Sequence, residues 1–399
     1  MHLTKDEEKI LNGEEGNAAQ KSMQILVALG DIFGADSLIP IKSVQVAGVS
    51  YHNLGEAGLE FLAELARDGR VKVPTTLNPA GMDLRNWEKL GIPKDFAIKQ
   101  KLVIDAFARM GITTTCTCTP YLIGYSPRFG DHVAWAESSA VTYCNSVIGA
   151  RTNREGGPSA LAAAFVGKTP NYGLHLSENR APTIKVDVKA RLKTLPDFGA
   201  LGYVIGKRAQ NQIPYITGIS EAPNDFLKSF SASVVTYGAQ PMFHMEKITP
   251  EYKAYEVPKE TIVVKDEDIG NAYKAINDDF NDIEFVCLGC PHCSLDEIQE
   301  IAYLLKDKKI ASNVEFWVCC ARPMMEKAKK SGFVKTIEKA GGKFACDTCM
   351  AVAPLKGRFK SVATTSAKGC YYSRGHNAMA TKIGSIQQCV EAGIRGKWS

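Results

Sequence analysis

Ile283-Glu284-Phe285-Val286-Cys287-Leu288-Gly289-Cys290 is the stretch that decides the fold. Its first six residues are mostly apolar and include the β-branched and aromatic side chains that suit a buried strand. The run stops at a glycine. The unit then repeats. Leu295–Lys306 has helical periodicity, Val314–Cys319 is a second apolar run and Pro323–Ala340 a second helix. Lys343–Cys346 and Ser361–Thr365 are further strands, and Asn377–Gly393 is a closing helix. Strands without polar alternation, separated by helices, predict a parallel sheet covered on both faces. Such sheets place ligand sites beyond the carboxyl ends of their strands. The expected fold class is α/β, with largely parallel sheets flanked by helices.

The same alternation is readable upstream. Gly16–Phe33 reads as a helix, Ser43–Ala47 as a strand ending in Gly48-Val49-Ser50, and Gly55–Arg67 as a helix. Val71–Thr76 is a strand before Leu77-Asn78-Pro79, Lys99–Met110 a helix, and Ile112–Cys118 a Thr-rich strand closed by Pro120. From there to Gly157 the chain is rich in Gly and Ser with little regular pattern, the signature of an active-site wall. Pro214–Thr217 reads as a strand and Asn224–Tyr237 as a helix. A chain of 399 residues is long for one core. Three lobes are expected: an N-terminal α/β lobe with substrate loops (1–200), a small α/β lobe (201–282) and a C-terminal α/β lobe carrying metal ligands (283–399).

Composition narrows the function. With 48 basic and 43 acidic residues the formal charge is only +5, without the basic runs of a nucleic-acid binder. No apolar stretch approaches the ~20 residues of a membrane span. The opening Met1–Lys9 is charged and polar, which reads as no secretory leader and a cytosolic location. Twelve cysteines in that setting are thiols or metal ligands rather than disulfides.

Three of those thiols lie at or just past predicted strand ends: Cys118, Cys290 and Cys349. Cys287-Leu288-Gly289-Cys290 and Cys346-Asp347-Thr348-Cys349 share one design, with the first cysteine inside the apolar run and the second beyond it. Three thiolates from three strand ends suit an iron–sulfur cluster with one iron left without a protein ligand, and such an iron is a Lewis acid. Other readings remain open. Each cysteine taken singly is more often a small buried residue, and a structural zinc site would use compact ligand pairs. A nucleophilic cysteine lacks an evident histidine partner, and Cys346-Asp347-Thr348-Cys349 does not open a helix as a redox motif does.

Several segments suit anions. Gly48-Val49-Ser50 joins a strand to a helix, so its amides are placed to hold a carboxylate or phosphate. Ser138 and Ser139, Arg151 beside Gly156-Gly157, and Lys368 after a strand are further donors. An ordinary βα turn, a solvated loop and a surface lysine are the bland alternatives.

Together these motifs resemble the aconitase X family. The resemblance rests on Thr117-Cys118-Thr119-Pro120-Tyr121-Leu122, Ala134–Ala140, Gly149–Gly157, Gly289-Cys290-Pro291-His292, Asp347-Thr348-Cys349-Met350 and Ser366–Tyr372, with Gly48–Gly55 and Pro74–Gly81. It implies a multi-lobe aconitase-like architecture around a 4Fe-4S cluster held by Cys118, Cys290 and Cys349, with Cys346 and Cys293 as alternates. It also implies a hydro-lyase dehydrating (R)-5-phosphomevalonate to trans-anhydromevalonate 5-phosphate in isoprenoid biosynthesis. The substrate pocket would use Gly48, Val49, Ser50, Asn78, Pro79, Ser138, Ser139, Arg151 and Lys368. Because aconitase-like enzymes take a serine base from a swivelling domain, the resemblance implies a small partner subunit that supplies the base. Dehydration of cis-3-hydroxy-L-proline is the rival activity within the family. An iron–sulfur or zinc binding module without catalysis is the rival outside it.

Overall fold

The computed structural model describes residues 1–398. Its centre is a five-stranded, wholly parallel sheet. The strand order is Lys343–Cys346, Glu315–Cys320, Phe285–Leu288, Ser361–Thr364, Ala380–Ile383. The four residues of Phe285–Leu288 are all buried, as are those of Ser361–Thr364. The chain builds outward on one side of Phe285–Leu288, then returns to build on the other, so the order switches between Phe285–Leu288 and Ser361–Thr364. Crevices at such switch points are where open parallel sheets bind ligands.

Local signals explain the helices. Ser294 caps Leu295–Leu305 in a reciprocal pair with Glu297, and Ser385 does the same with Gln388 for Ile386–Arg395. Two sequence expectations change here. The helix expected over 323–340 is two helices, Arg322–Lys330 and Phe333–Ala340, parted at Gly332, whose φ of 80° lies in the left-handed region. The helix expected over 377–393 is instead the end of a helix Ala367–Asn377, an edge strand Ala380–Ile383 and the final helix. The strand is short and only alternate residues are buried, so its period is hidden between two helical patterns.

A second parallel sheet, of order Thr75–Leu77, Val44–Val46, Ala134–Trp135, occupies the N-terminal lobe. The expected strand Ile112–Cys118 does not form. It runs beside Thr75–Leu77 through one bridge at Thr113 and through the Thr115 hydroxyl, and Cys116, at φ 43°, breaks the ladder. Cys118 therefore sits at a bend just before the short helix Pro120–Ile123 and is not a strand end.

A third parallel sheet, His244–Met245, Pro214–Thr217, Ile184–Val188, Thr261–Val264, forms the middle lobe. Sheet membership puts Ile184–Val188 and the helix Leu195–Arg208 in this lobe, so a division at 200/201 cuts through one folding unit. That helix packs closely on Asn224–Gly238. A Cβ at Gly202 would lie 2.6 Å from the Ser233 Cβ, which is why glycine occupies the crossing. The middle lobe is tied to the C-terminal one by Lys228. Its buried ammonium pairs with Glu297 and with Asp225 and donates to the His292 carbonyl at 3.2 Å. Among the described residues, no helix is long and apolar enough to cross a membrane.

Candidate active site

The carboxyl ends of the N-terminal and C-terminal sheets meet at one small cavity of ≈ 180 Å³. Each N-terminal strand delivers residues to it. Val44–Val46 leads into Ala47 and Gly48, Thr75–Leu77 into Asn78 and Pro79, and Ala134–Trp135 into Glu137. From the C-terminal sheet come Cys290, Cys349 and Lys368, with Cys290 and Lys368 on the two sides of the switch point. Cys118 completes a set of three buried thiols on the wall. These three do not converge on one point: among the described residues no group of three His, Cys, Asp or Glu side chains forms a single-ion site. The geometry therefore does not suit a tetrahedral zinc centre, whose ligands share one ion at ~2.3 Å.

Backbone geometry places the thiols. Gly289, with φ 104°, lets the chain turn after Phe285–Leu288, and a Cβ there would fall 2.0 Å from the Cys319 carbonyl oxygen. Asp347 takes φ 63° before Cys349. Its carbonyl accepts from the Ala80 amide at 2.7 Å and its carboxylate pairs with Arg322. Arg322 also holds Asp83 at 2.8 Å, and Asp83 accepts from the Cys346 amide at 2.9 Å. This network locks the Asn78–Asp83 loop to the Cys346–Cys349 turn. The alternates lie elsewhere. Cys293 and Cys346 pack in the apolar core beneath the sheet with Cys320, and neither lines the cavity.

Burial dominates the thiol electrostatics. It pushes Cys118 up to about 12, with Glu137 adding to the rise and Lys368 opposing it, and Cys290 up to about 11. The Cys349 thiol is likewise raised, by burial and then by the nearby Cys290 and Cys118. With nothing bound these groups are thiols, and only a bound cation makes thiolates of them.

A buried ion pair forms the opposite wall. Glu137 pairs with Lys368 and accepts from Asn78 Nδ2 at 2.6 Å and Ser139 Oγ at 2.9 Å. Burial alone raises the Glu137 carboxyl, but Lys368, Ser139 and Asn78 outweigh it, and the net shift is downward. Lys368 is raised in turn: burial opposes its charge and Glu137 more than compensates. The Oδ1 atom of Asn78 is buried without a protein partner, so the cavity wall carries an unused acceptor. Tyr372 completes this side, its ring centroid 5.8 Å from the Lys368 ammonium.

The expected anion donors divide. At Gly48, φ 77° turns the strand into the helix Tyr51–Leu65, and among the described residues the amides of Gly48, Val49 and Ser50 have no acceptor in the protein. Of the three, only Gly48 lines the cavity; Val49 and Ser50 are buried behind it. The Val49 side chain is buried in the core, and Ser50 Oγ caps the helix and donates to the Val352 carbonyl at 3.0 Å. Asn78, Pro79 and Lys368 line the cavity, while Ser139 reaches it through Glu137. Ser138 is not on the wall, because it is Glu137 that ends the strand facing the cavity. Arg151 is not there either: its guanidinium donates to the His175 carbonyl at 2.9 Å, and its backbone pairs with Asp131 and Val133.

Sequence reading missed Glu137, Gln100 and Tyr372. Glu137 lay inside a quoted motif, two residues past a tryptophan-ended strand, and its carboxylate caps the next helix by accepting from the Ser139 amide. Gln100 carried no signal at all. It is buried in the helix Lys94–Arg109, accepts from the Tyr51 and Gly81 amides and donates to the Val49 carbonyl, so it pins the Gly48–Ser50 turn. A larger groove of ≈ 670 Å³ lies between helices Leu295–Leu305 and Phe333–Ala340. It is open, and no cysteine or histidine lines it.

Models of the aconitase X first, second and third domains match residues 1–178, 182–274 and 283–395. The chain belongs to the aconitase X family. It is 46% identical to a protein of Methanosarcina mazei named phosphomevalonate dehydratase large subunit, over 100% of this chain and 98% of that one. The Methanocaldococcus jannaschii protein of the same name is 47% identical, covering 98% and 100%. The cis-3-hydroxy-L-proline dehydratase of Pseudomonas aeruginosa is 33% identical, over 98% of this chain and 70% of its own length. The crystal structure of Thermococcus kodakaraensis aconitase X in its holo-form superposes with a TM-score of 0.93 at 46% identity, covering 98% of this chain and all of that one. The aconitase X fold, with its parallel sheets flanked by helices, is thus the architecture described above.

Proposed function

We propose that this aconitase X chain is the large, cluster-binding subunit of a hydro-lyase that converts (R)-5-phosphomevalonate to trans-anhydromevalonate 5-phosphate. In that role it would serve a mevalonate route to isoprenoids. The observation that carries the proposal is the meeting of Cys118, Cys290 and Cys349, from three separate segments, on one cavity walled by the Lys368–Glu137 pair. Full-length identity of 46–48% to four proteins named phosphomevalonate dehydratase large subunit, against 32–33% to the hydroxyproline dehydratases, supports the substrate.

The donor set fits an iron–sulfur cluster. Three thiols are present on the wall without a fourth, and the His292 amide already donates to Cys118 Sγ at 3.2 Å. When bound, a 4Fe-4S cluster with three protein thiolates supplies one iron that is open to act as a Lewis acid on a hydroxyl. The chain's own residues do the rest. The unpaired amide of Gly48, on the cavity wall ahead of the helix Tyr51–Leu65, suits a substrate phosphate or carboxylate. Asn78 presents its unused Oδ1 to a substrate hydroxyl, and Lys368 keeps a fixed positive charge beside the cavity while Glu137 holds it in place. The α-proton is left to a base from a small partner subunit, a reading supported by the naming of the archaeal relatives.

The test is dehydration by the reconstituted complex, with iron and sulfide measured on the same sample. Turnover of (R)-5-phosphomevalonate and not of cis-3-hydroxy-L-proline is expected, and the reverse preference overturns the substrate. Zinc without sulfide overturns the hydro-lyase reading, and full activity of this chain alone overturns the partner.

A further inference from the structure

We infer that His292 is the positioning residue that gathers the three proposed ligand segments into one arrangement, an inference that rests on the hydro-lyase reading above. Its ring bridges two of them. Nδ1 lies 2.9 Å from the hydroxyl of Thr117, which precedes Cys118, and Nε2 lies 3.0 Å from the carbonyl of Thr348, which precedes Cys349. The residue itself lies two positions after Cys290, the third. Those partners are 175 and 56 residues away in sequence, so one side chain closes contacts that nothing local could make.

The directions of these bonds are forced. A carbonyl only accepts, so Nε2 carries the proton toward Thr348. Nδ1 of the neutral ring must then accept, and Thr117 donates to it. The Thr117 oxygen is meanwhile held by the Thr119 amide at 3.2 Å. Both ring nitrogens are satisfied in one tautomer and one orientation, and the ring is fully buried. The backbone is fixed as well: its amide donates to Cys118 Sγ, and its carbonyl accepts from Lys228 of the middle lobe.

This arrangement lowers the entropy lost when three loops must order together around a cluster. Ordering one residue costs ~1–2 kcal/mol, and here it is met in advance by folding. Partners of this kind, one step removed from a metal, typically change its retention ~10–100-fold when altered.

The experiment uses the full chain, reconstituted anaerobically with iron and sulfide, and follows iron release to a ferrous chelator together with sulfide content and cluster absorbance. His292→Phe keeps the ring volume and removes both bonds, while His292→Gln keeps a donor toward Thr348. Release ~10–100-fold faster from His292→Phe, with His292→Gln in between, is expected at a temperature where every variant is folded. Leu305→Ala, which empties part of the same lobe's core far from the cavity, is the control for mere destabilisation and should release iron at the wild-type rate. Wild-type retention in His292→Phe overturns the inference, and so does equally fast release from Leu305→Ala. Should His292→Phe fail to fold, wild-type retention in His292→Gln overturns it instead. If the wild-type chain takes up no iron and sulfide, the hydro-lyase reading falls as well; if it loads, Cys118→Ala does not, and His292→Phe releases its iron at the wild-type rate, only this inference falls.

Discussion

The carboxyl edge of the C-terminal sheet and that of the middle-lobe sheet are built alike and end differently. Both sheets are parallel, and both carry a left-handed glycine just past a strand, Gly289 in one and Gly218 in the other. Past Gly289 the chain enters a cavity closed by a second sheet edge and walled by three thiols and a buried ion pair. Past Gly218 it enters an open hollow of ≈ 410 Å³ whose charged groups, Lys193 and Glu221, are exposed. A carboxyl edge alone is thus not a site. What makes one here is a facing edge that brings buried thiols and a buried ion pair together and forces those polar groups to find partners or remain poised for a ligand.

The largest expected effect breaks the cavity side of this comparison. Replacing Cys118, Cys290 or Cys349 with Ala should abolish cluster loading and lower turnover by at least ~10³-fold, the scale of several kcal/mol of metal assistance. Cys287→Ala, one layer behind and 3.5 Å from Cys319 Sγ, should load normally. Iron, sulfide and turnover measured together decide between these outcomes.

Next comes the ion pair. Lys368→Met leaves Glu137 buried without its counter-charge and should destabilise folding by ~3–5 kcal/mol. Denaturant unfolding of this variant beside Glu137→Gln/Lys368→Met, which should regain part of the loss, checks it. A single variant as stable as the wild type would mean that the pair is solvated.

Acid provides a gentler break, in the N-terminal lobe away from the cavity. His175, hydrogen-bonded to His132 at 2.9 Å, is pushed down to about 3, chiefly by burial, then by His132, Arg180 and Arg151. Its folded-state value lies below the unfolded ~6.5, so its contribution is complete above about pH 6.5 and is lost as pH falls toward 3. By pH 5 the loss should reach roughly 2 kcal/mol. His175→Gln should flatten that part of the stability–pH curve, as followed by chemical denaturation at each pH. An unchanged slope would place the titration elsewhere.

The smallest effect sharpens the contrast. Lys193→Met, on the open edge, should change stability by less than ~0.5 kcal/mol and leave turnover alone. A large loss of activity would make the middle-lobe hollow part of the working site.

How much of this was legible follows from what each feature depends on. The C-terminal sheet was readable because near-continuous apolar runs and helical stripes are local patterns, and Phe285–Leu288 and Lys343–Cys346 carry both the period and the stop. The edge strand Ala380–Ile383 was not, since four residues half exposed to solvent resemble the helix on either side. Among site residues, Cys290, Cys349 and Lys368 follow strands and inherit their position from the sheet. Arg151 misled because a cation beside glycines looks alike whether it faces a ligand or, as here, a neighbouring carbonyl.

By itself, then, the sequence determined that there are parallel sheets, where three strands of the C-terminal sheet end, and that Cys290, Cys349 and Lys368 lie just beyond them. Those depend on neighbours a few residues apart. Only the tertiary structure decided that two carboxyl edges face each other, that Glu137 neutralises Lys368 across 231 residues, and that Gln100 and His292 hold the turns in place. Those depend on burial and on hydrogen-bond partners brought together from distant segments, a pairing that no local pattern encodes.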